Sequence, residues 1–452
     1  MKTASQIGVS KEGGGKLTSL PCKVCIHVLR EAHNDVRAMR AATALVKAGF
    51  SVCIVDVEAE RGKDGGRTEA SSRPYTPLRE ENIGDVCMKH IIIPGWHTSR
   101  RFEPWFFVIA VQTFFLSLLC LLQTQADVYH ASELTALPAA CIAALLCRKP
   151  LIFEAYELHL PLPETSVSFW RPLGGLLIRL LAVILPRCAG VIAVSSPIVE
   201  EIHKRYRVPE VTLIRNVPVR QVVQKSNRLR QFLGLSPNVR IALYQGTLHA
   251  GRGLDRLVRA ATYLAPDIVI VMMGTGPREI VSQLEALIDS EGVADRIKII
   301  PPVPYTELLV WTASADLGLY VLPLDYSLSI RLSLANKLFE YLMAGLPVLT
   351  SDLDAAVEVI KTYDVGQIVP CGRDKSGPYP SDIGAAINAM LADPAALARM
   401  RNNALEAARN EFNWGKESQK LIHLYEKILS EYKAKHAKYL RGVTHHARTR
   451  KQ

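Results

Sequence analysis

The sequence predicts an α/β protein made of two successive doubly wound domains, each built on a mainly parallel sheet. Three observations point there. The 452 residues exceed what one hydrophobic core usually holds, so two domains of roughly 200 residues are expected. Short apolar, β-branched runs alternate with amphipathic stretches along most of the chain, the pattern of strand, helix, strand units whose strands pair in parallel. A polar, basic stretch at residues 217–230 interrupts that alternation and marks a linker.

Residues 1–20 hold Gly, Ser and Lys without an apolar core, so they are expected to form a flexible leader rather than a secretory signal. The first unit follows: an apolar run at 23–29, a polar turn His33-Asn34-Asp35, a helical stretch at 36–48 ended by Gly49, and a β-branched run at 51–57. Residues 61–79, rich in Gly, Arg and Ser, read as a loop. Strand-like runs continue at 89–94, 128–130, 151–154, 191–195 and 211–214. Beyond the linker they restart at 240–245, 268–273, 297–300, 317–321, 347–350 and 366–369. The expected division is a leader at 1–20, an N-terminal domain at 21–222, a C-terminal domain at 223–432 and a basic tail at 433–452, solvated or facing lipid.

A hydrophobic share of 49% excludes disorder throughout. Lys+Arg of 54 against Asp+Glu of 43 gives a formal charge of +11, which favours an anionic partner: a nucleic acid, a membrane surface or a phosphate-rich substrate. No nucleic-acid motif accompanies the charge, so no nucleic-acid partner is expected. Nine scattered cysteines fit reduced thiols and a cytosolic location. Cys22 and Cys25 have CxxC spacing, yet no second pair follows at zinc-site distance, and buried strand cysteines are the expected reading.

Residues 105–122 are interrupted only by Gln112, Thr113 and Ser117, close to the ~20 residues needed to span a bilayer. The runs on either side belong in one sheet, which a spanning helix would separate. The expectation is an apolar helix lying in the membrane interface with Arg100 and Arg101 at its mouth. A second apolar stretch, 173–185, contains Arg179 and is flanked by Arg171 and Arg187. Ordinary buried helices are the plain alternative for both. The expected location is cytoplasmic, peripheral on the inner face of the plasma membrane.

The chemistry concentrates in the C-terminal half. The run at 240–245 leads into Gly246-Thr247-Leu248-His249-Ala250-Gly251-Arg252-Gly253, and helical spacing follows. A glycine-rich turn opening a helix offers N–H groups and the positive end of a dipole to a phosphate, and Arg252 adds a full charge. Gly274-Thr275-Gly276-Pro277 repeats the pattern after the next strand. Each turn taken alone is equally an ordinary strand-to-helix connection. The strongest constellation runs from Ser327 to Leu349: a small-residue loop with Ser329 and Ser333, a helix starting at Asn336 and Lys337 with Glu340 one turn on, then Gly345 and Pro347. A diphosphate needs N–H donors and a cation, and a ribose diol needs a carboxylate about one turn away; this spacing offers both.

The block from Asn336 to Val348 resembles the Asn-Lys-hydrophobic-aromatic-Glu-Tyr signature of family 4 (group 1) glycosyltransferases, which have the GT-B architecture of two Rossmann-like domains with parallel sheets facing across a cleft. Segments at 33–52, 126–138, 189–196 with Arg215-Asn216, and Ala315-Asp316 agree with the same pattern. The resemblance implies a glycosyltransferase that takes a sugar from a nucleotide diphosphate, with UDP the expected nucleotide. Glu340 would bind the donor ribose, and Lys337 and Arg252 the diphosphate. Gly246, Thr247 and Gly274 would line the phosphate turns, Val303 would meet the base, and Ser329, Ser333 and Asn336 would approach diphosphate and sugar. On the acceptor side stand Asp35, Arg37 and Ser132, with His130 and Glu133 as candidate catalytic groups.

Three positions depart from the pattern. Leu332 occupies the place of a first glutamate, Thr247 that of an arginine, and Ser132 that of a histidine. Asp352-Leu353-Asp354 fits a metal-binding pattern of another glycosyltransferase fold, but it follows a strand where the GT-B architecture puts a loop, and no metal or other cofactor is expected. His159 is a further, weaker candidate. The expected reaction retains anomeric configuration, and the expected acceptor is a saccharide, lipid-linked, in polysaccharide or glycolipid assembly at the membrane surface. A nucleotide-sugar epimerase and a non-catalytic partner protein are the rival readings.

Overall fold

A computed structural model describes residues 21–59, 77–93, 104–156, 179–325, 328–372 and 377–449. The leader at 1–20, Arg100, Arg101, His159, Arg171, Ser327 and residues 173–178 lie outside the described residues.

The N-terminal domain opens with β1 (Lys23–His27), α1 (Val36–Lys47) and β2 (Ser51–Ala59). The Asp35 carboxylate caps α1 by accepting from the N–H groups of Arg37 and Ala38, at 3.1 and 3.0 Å. β3 (Leu78–Ile83) and β4 (Val86–Ile93) form a hairpin with the two-residue turn Gly84-Asp85. Then come α2 (Pro104–Thr124), β5 (Val128–Ser132), α3 (Leu137–Leu146), β6 (Leu151–Ala155), β7 (Gly190–Ala193), α4 (Ser196–Tyr206) and β8 (Thr212–Leu213). Among the described residues the sheet order is β3-β4-β2-β1-β5-β6-β7-β8, parallel except for β3 against β4. The expected loop at 61–79 therefore ends in a strand. β3 has no fully buried position and carries Arg79, Glu80 and Glu81, so its composition resembles a loop although its pairing is that of an edge strand.

The C-terminal domain contains α5 (Arg228–Leu233), β9 (Arg240–Gln245), α6 (Leu254–Ala260), β10 (Ile268–Met273), α7 (Arg278–Ser290), β11 (Ile297–Ile300), α8 (Leu308–Thr312) and β12 (Leu317–Tyr320). It continues through α9 (Leu328–Leu332), α10 (Asn336–Met343), β13 (Val348–Ser351), α11 (Asp354–Tyr363), β14 (Gly366–Val369), α12 (Pro380–Ala392) and α13 (Pro394–Asn410). Its sheet is wholly parallel, in the order β11-β10-β9-β12-β13-β14. Order reverses at β9, the switch point where loops part above the carboxyl ends of the strands and leave a crevice.

Gly318 of β12 sets how closely α10 packs on this sheet. A Cβ there would lie 2.7 Å from the Tyr341 ring, which is fully buried and whose hydroxyl donates to Leu243 O at 3.0 Å. Gly318→Ala is expected to cost about 1–3 kcal/mol by overpacking, read as a lower urea midpoint with unchanged slope.

The last helix, α14 (Trp414–Thr449), returns to the first domain. Trp414, Leu421, Leu424, Tyr425, Ile428 and Leu429 pack with Val24, Ile26, Ile54 and Ile192 in one core cluster. Residues 414–429 thus serve the N-terminal sheet rather than the C-terminal one, and the segment expected as a tail continues the same helix to Thr449. Beneath it the fully buried Glu417 carboxylate accepts from the Arg215 N–H at 3.0 Å and from Arg215 Nη1 at 3.1 Å.

α2 lies on the sheet and does not leave it. Ile109, Thr113, Ser117, Cys120 and Leu121 are buried, while Phe107, Val108, Val111, Phe115 and Leu119 are about half exposed. The strands before and after it, β4 and β5, belong to one sheet, as its length and flanks required. Near it α3 exposes Leu145 and Leu146, and the helical residues 179–184 expose Leu180 and Val183.

Candidate active site

A cavity of about 890 Å³ lies between the carboxyl ends of the two sheets and is lined by both domains. From the C-terminal side come Gln245, Gly246, Thr247, Arg252, Gly274, Val303, Tyr305, Ser333, Asn336, Lys337 and Glu340, and from the N-terminal side Arg30, Asp35, Arg37, Glu133, Tyr156 and Asn216.

Two glycine turns form its floor. Gly246 continues the ladder by donating from its N–H to Met273 O at 3.0 Å, so that group is not free for a ligand. A Cβ on Gly274 would sit 1.8 Å from Gly246 O, so only glycine lets the β10 turn lie on the β9 turn. Thr247 is exposed to the cavity, and Val303 is half-buried at its rim.

α10 supplies the charged wall. Its N-cap residue, Ala335, offers no side-chain acceptor to the first N–H groups. Lys337 is 7% exposed, and its Nζ stands over the Tyr244 ring at 3.7 Å without a hydrogen-bond acceptor. Burial, followed by the Arg252 charge, pushes its pKa down to about 7 against the pull of Glu340. Arg252, half-buried, also has its Nε without a partner. Glu340 is 8% exposed and accepts from Gln245 Nε2 at 2.6 Å, while Gln245 Oε1 accepts from Thr312 Oγ1 at 2.8 Å. Burial raises the Glu340 carboxyl, with Gln245, Arg40 and Lys337 opposing. Two side chains with basic nitrogens short of acceptors thus stand beside a buried carboxylate on one wall of the cavity.

Of the other expected donor-side groups, Ser333 and the exposed Asn336 line the cavity, whereas Ser329 is buried and does not. Leu332 joins the hydrophobic cluster of the N-terminal domain, and its carbonyl accepts from Ser195 Oγ. Where the family pattern has a glutamate, this chain has an apolar link between domains. Asp352 accepts from Cys371 N at 3.2 Å and Asp354 pairs with Arg331 at 2.8 Å, so the Asp-x-Asp motif serves loop and helix ends.

On the acceptor side the expectations divide. Asp35 lines the cavity with Oδ2 buried and unbonded, 3.7 Å from Arg30. Glu133 lines it, pairs with Arg30, and adopts a left-handed backbone at φ 80°, a conformation costly for a residue with a side chain. Arg37 borders the cavity; its Nε bonds Glu154 at 2.6 Å and its Nη2 bonds Ile214 O at 2.8 Å, while Nη1 is buried without a partner. His130 is a correction: it is fully buried outside the cavity lining, with Nδ1 2.7 Å from Tyr425 Oη and Nε2 3.3 Å from Glu154. It therefore braces β5, β6 and α14 and does not line the cavity. Ser132 is likewise buried outside the lining.

Sequence reading missed Arg30, Gln245, Tyr156 and Tyr305. Arg30, Gln245 and Tyr156 sit at or just beyond the carboxyl ends of β1, β9 and β6, where the switch-point rule would have singled them out. Tyr305 is reached from α1: Arg40 bonds Val217 O at 2.7 Å and the Tyr305 hydroxyl, bridging the domains.

Residues 225–407 match the family described as Glycosyl transferases group 1, and residues 35–217 the family described as Glycosyltransferase Family 4. A D-inositol 3-phosphate glycosyltransferase of Xylanimonas cellulosilytica is 30% identical over 213 residues, 46% of this chain and 47% of that protein. The chain thus spans about half the length of the curated relatives it matches. Among solved structures, sucrose-phosphate synthase from Thermosynechococcus elongatus aligns with a TM-score of 0.68 at 16% identity over 91% of this chain and 100% of its own. Anabaena HepE in complex with UDP-glucose aligns with a TM-score of 0.63 at 15% identity, covering 90% and 99%. At such identities these likenesses establish the fold.

Proposed function

We propose, from the premise that this chain belongs to the family 4, group 1 glycosyltransferases of the GT-B fold, that it transfers a sugar from a nucleotide diphosphate sugar in the cleft to an acceptor held by the N-terminal domain. The observation that carries this reading is the buried Lys337 ammonium beside Arg252, both with nitrogens lacking acceptors, one helical turn from the buried Glu340. A diphosphate between the two cations relieves their repulsion, restores the proton to Lys337, and faces the N-terminus of α10. As the glycosidic bond to phosphate breaks, the growing charge on the leaving oxygen meets dipoles and cations already aligned, which is electrostatic stabilisation of the transition state. The cations on this wall supply the counter-charge, which supports a metal-independent transfer. Retention of configuration, with the leaving phosphate taking the acceptor proton, is part of the same reading. UDP as the nucleotide is supported by the HepE complex with UDP-glucose.

The acceptor is proposed to be lipid-linked. Half-exposed Phe107, Val111, Phe115 and Leu119 on α2, with Leu145 and Leu146 on α3, give the acceptor domain an apolar face of the kind that sits in a membrane interface. That supports a peripheral position at the cytoplasmic membrane surface.

Turnover of a nucleotide-sugar panel, with lipid-linked and soluble acceptors in parallel, tests both parts. Glu340→Gln is expected to cut donor kcat/KM about 10- to 100-fold through loss of charged hydrogen bonds to ribose. Equal turnover with and without acceptor would favour epimerisation, and absence of turnover with retained nucleotide binding would favour a non-catalytic partner.

A further inference from the structure

A second polar cluster, unused by the cleft chemistry, fastens the loop after β1. His33, in the short turn Ala32–Asn34, stacks on His90 of β4 with ring centroids 5.6 Å apart. Asp56 and Glu58 of β2 and Glu81 of β3 surround the pair. His90 Nε2 is 3.3 Å from Glu81 Oε1, which is 3.1 Å from His33 Nε2, and His33 Nε2 is 3.8 Å from Glu58 Oε1. His90 Nδ1 lies 2.7 Å from Asp56 Oδ1 and 3.2 Å from Glu58 Oε1.

We propose that His33, His90, Glu81 and Glu58 form a structural site for a divalent transition metal of the zinc class. Donors about 2.0–2.1 Å from a tetrahedral zinc stand about 3.3 Å from one another; the separations of Glu81 Oε1 from both Nε2 atoms match such edges, and Glu58 Oε1, 3.8 Å from His33 Nε2 and on the Nδ1 side of His90, would swing inward to complete the set. Two imidazoles with carboxylates select zinc-like ions over magnesium or calcium, which prefer oxygen alone.

Three further observations converge. His90 is fully buried, and its Nε2 makes no hydrogen bond, so the nitrogen aimed at the cluster lacks a donor or acceptor of normal geometry. Asp56 holds the opposite nitrogen, which is how a carboxylate fixes the tautomer of a metal-bound histidine. Three carboxylates, Asp56, Glu58 and Glu81, also converge here, and among the described residues Arg79 is the guanidinium paired with them, at 3.1 Å from Glu58 and 3.7 Å from Glu81.

The ion would tie the turn after β1 to β2, β3 and β4. Asp56 Oδ2 already accepts from the Ala32 N–H at 2.7 Å, and a metal bond to His33 anchors the same loop, whose Arg30 and Asp35 face the cleft. The site is thus a clamp on the acceptor side, separate from donor binding.

The test uses the full chain without an affinity tag, stripped with a chelator and titrated with Zn²⁺ against a chromophoric competitor, then with Co²⁺. The expected results are one ion per chain, ligand-field bands of tetrahedral intensity with Co²⁺, and a higher Tm with zinc. His33 is 39% exposed, so His33→Ala should fold; it should weaken zinc binding by more than about 10-fold while leaving nucleotide affinity unchanged. Glu81→Gln should weaken zinc binding as well. Failure of the full chain to take up zinc at micromolar free metal would overturn the proposal. Unchanged zinc affinity in His33→Ala would overturn it equally.

Discussion

Lys337→Met is expected to lower kcat about 100- to 1000-fold, the cost of removing one preorganised charge from a developing anion, and at the same time to make the free protein more stable. The second effect follows from the first group's environment. Burial and the neighbouring Arg252 hold the folded-state pKa at about 7, against 10.5 for an ordinary lysine. Between those two values the unfolded chain binds more protons than the folded one, so stability falls as pH is lowered from about 10.5 to 7, and below that the penalty is complete. Methionine fills similar volume without a charge, and a gain on the order of 1–3 kcal/mol at pH 7 is expected after the lost contact with Tyr244 is counted. Nucleoside diphosphate affinity of the unaltered protein should fall as pH rises through 7, because the free ammonium gives up its proton. The variant should show a flatter profile. Calorimetry at several pH values and urea melts measure both; a variant that keeps its turnover, or is less stable at pH 7, contradicts the assignment.

Arg37→Ala is expected to cost about 3–5 kcal/mol, because it leaves the Glu154 carboxylate buried without its partner. Burial alone would raise that carboxyl, but the Arg37 charge, then His130, outweigh it and hold the pKa at about 2. The folded pKa lies below the ordinary 4.5, so the contribution is present above about 4.5 and is lost as pH falls through the window toward 2. Urea unfolding between pH 7 and pH 2.5 should show this loss in the unaltered protein and a smaller one in the variant. Arg37→Met combined with Glu154→Leu should recover much of the stability, since an apolar pair carries no buried charge. If the single variant were as stable as the parent, the pair would not be the bracket between α1, β6 and Ile214 described above.

The donor wall was legible because its chemistry is local. Asn336, Lys337 and Glu340 share one helix, and i to i+3 spacing is enough to put a cation and a carboxylate on the same side. The two sheets were legible for a similar reason, since buried parallel strands such as Ile268–Met273 are nearly continuous apolar runs. What was missed depends on contacts distant in sequence. Nothing in residues 414–429 announces that their apolar stripe fits Val24 and Ile192 rather than the domain just completed. His130 was a catalytic candidate because it stands two residues before Ser132, which occupies the place of the family's histidine, and only the Tyr425 hydroxyl, contributed by α14, shows it to be enclosed. Leu332 was visible as a departure from the glutamate pattern, but not as a residue that crosses into the other domain's core. β3 escaped notice because an edge strand with no fully buried position keeps the charged composition of a loop.

In the proposed complex one nucleotide is held between the cations at Arg252 and Lys337 and the carboxylate of Glu340. A crystal structure of the chain with a nucleoside diphosphate bound tests it most directly. The expected result is the diphosphate within hydrogen-bond distance of Lys337 Nζ and the Arg252 guanidinium, with the ribose hydroxyls on Glu340 and the base near Val303. A nucleotide bound elsewhere, with Lys337 still over Tyr244 and Glu340 still committed to Gln245 alone, would contradict it.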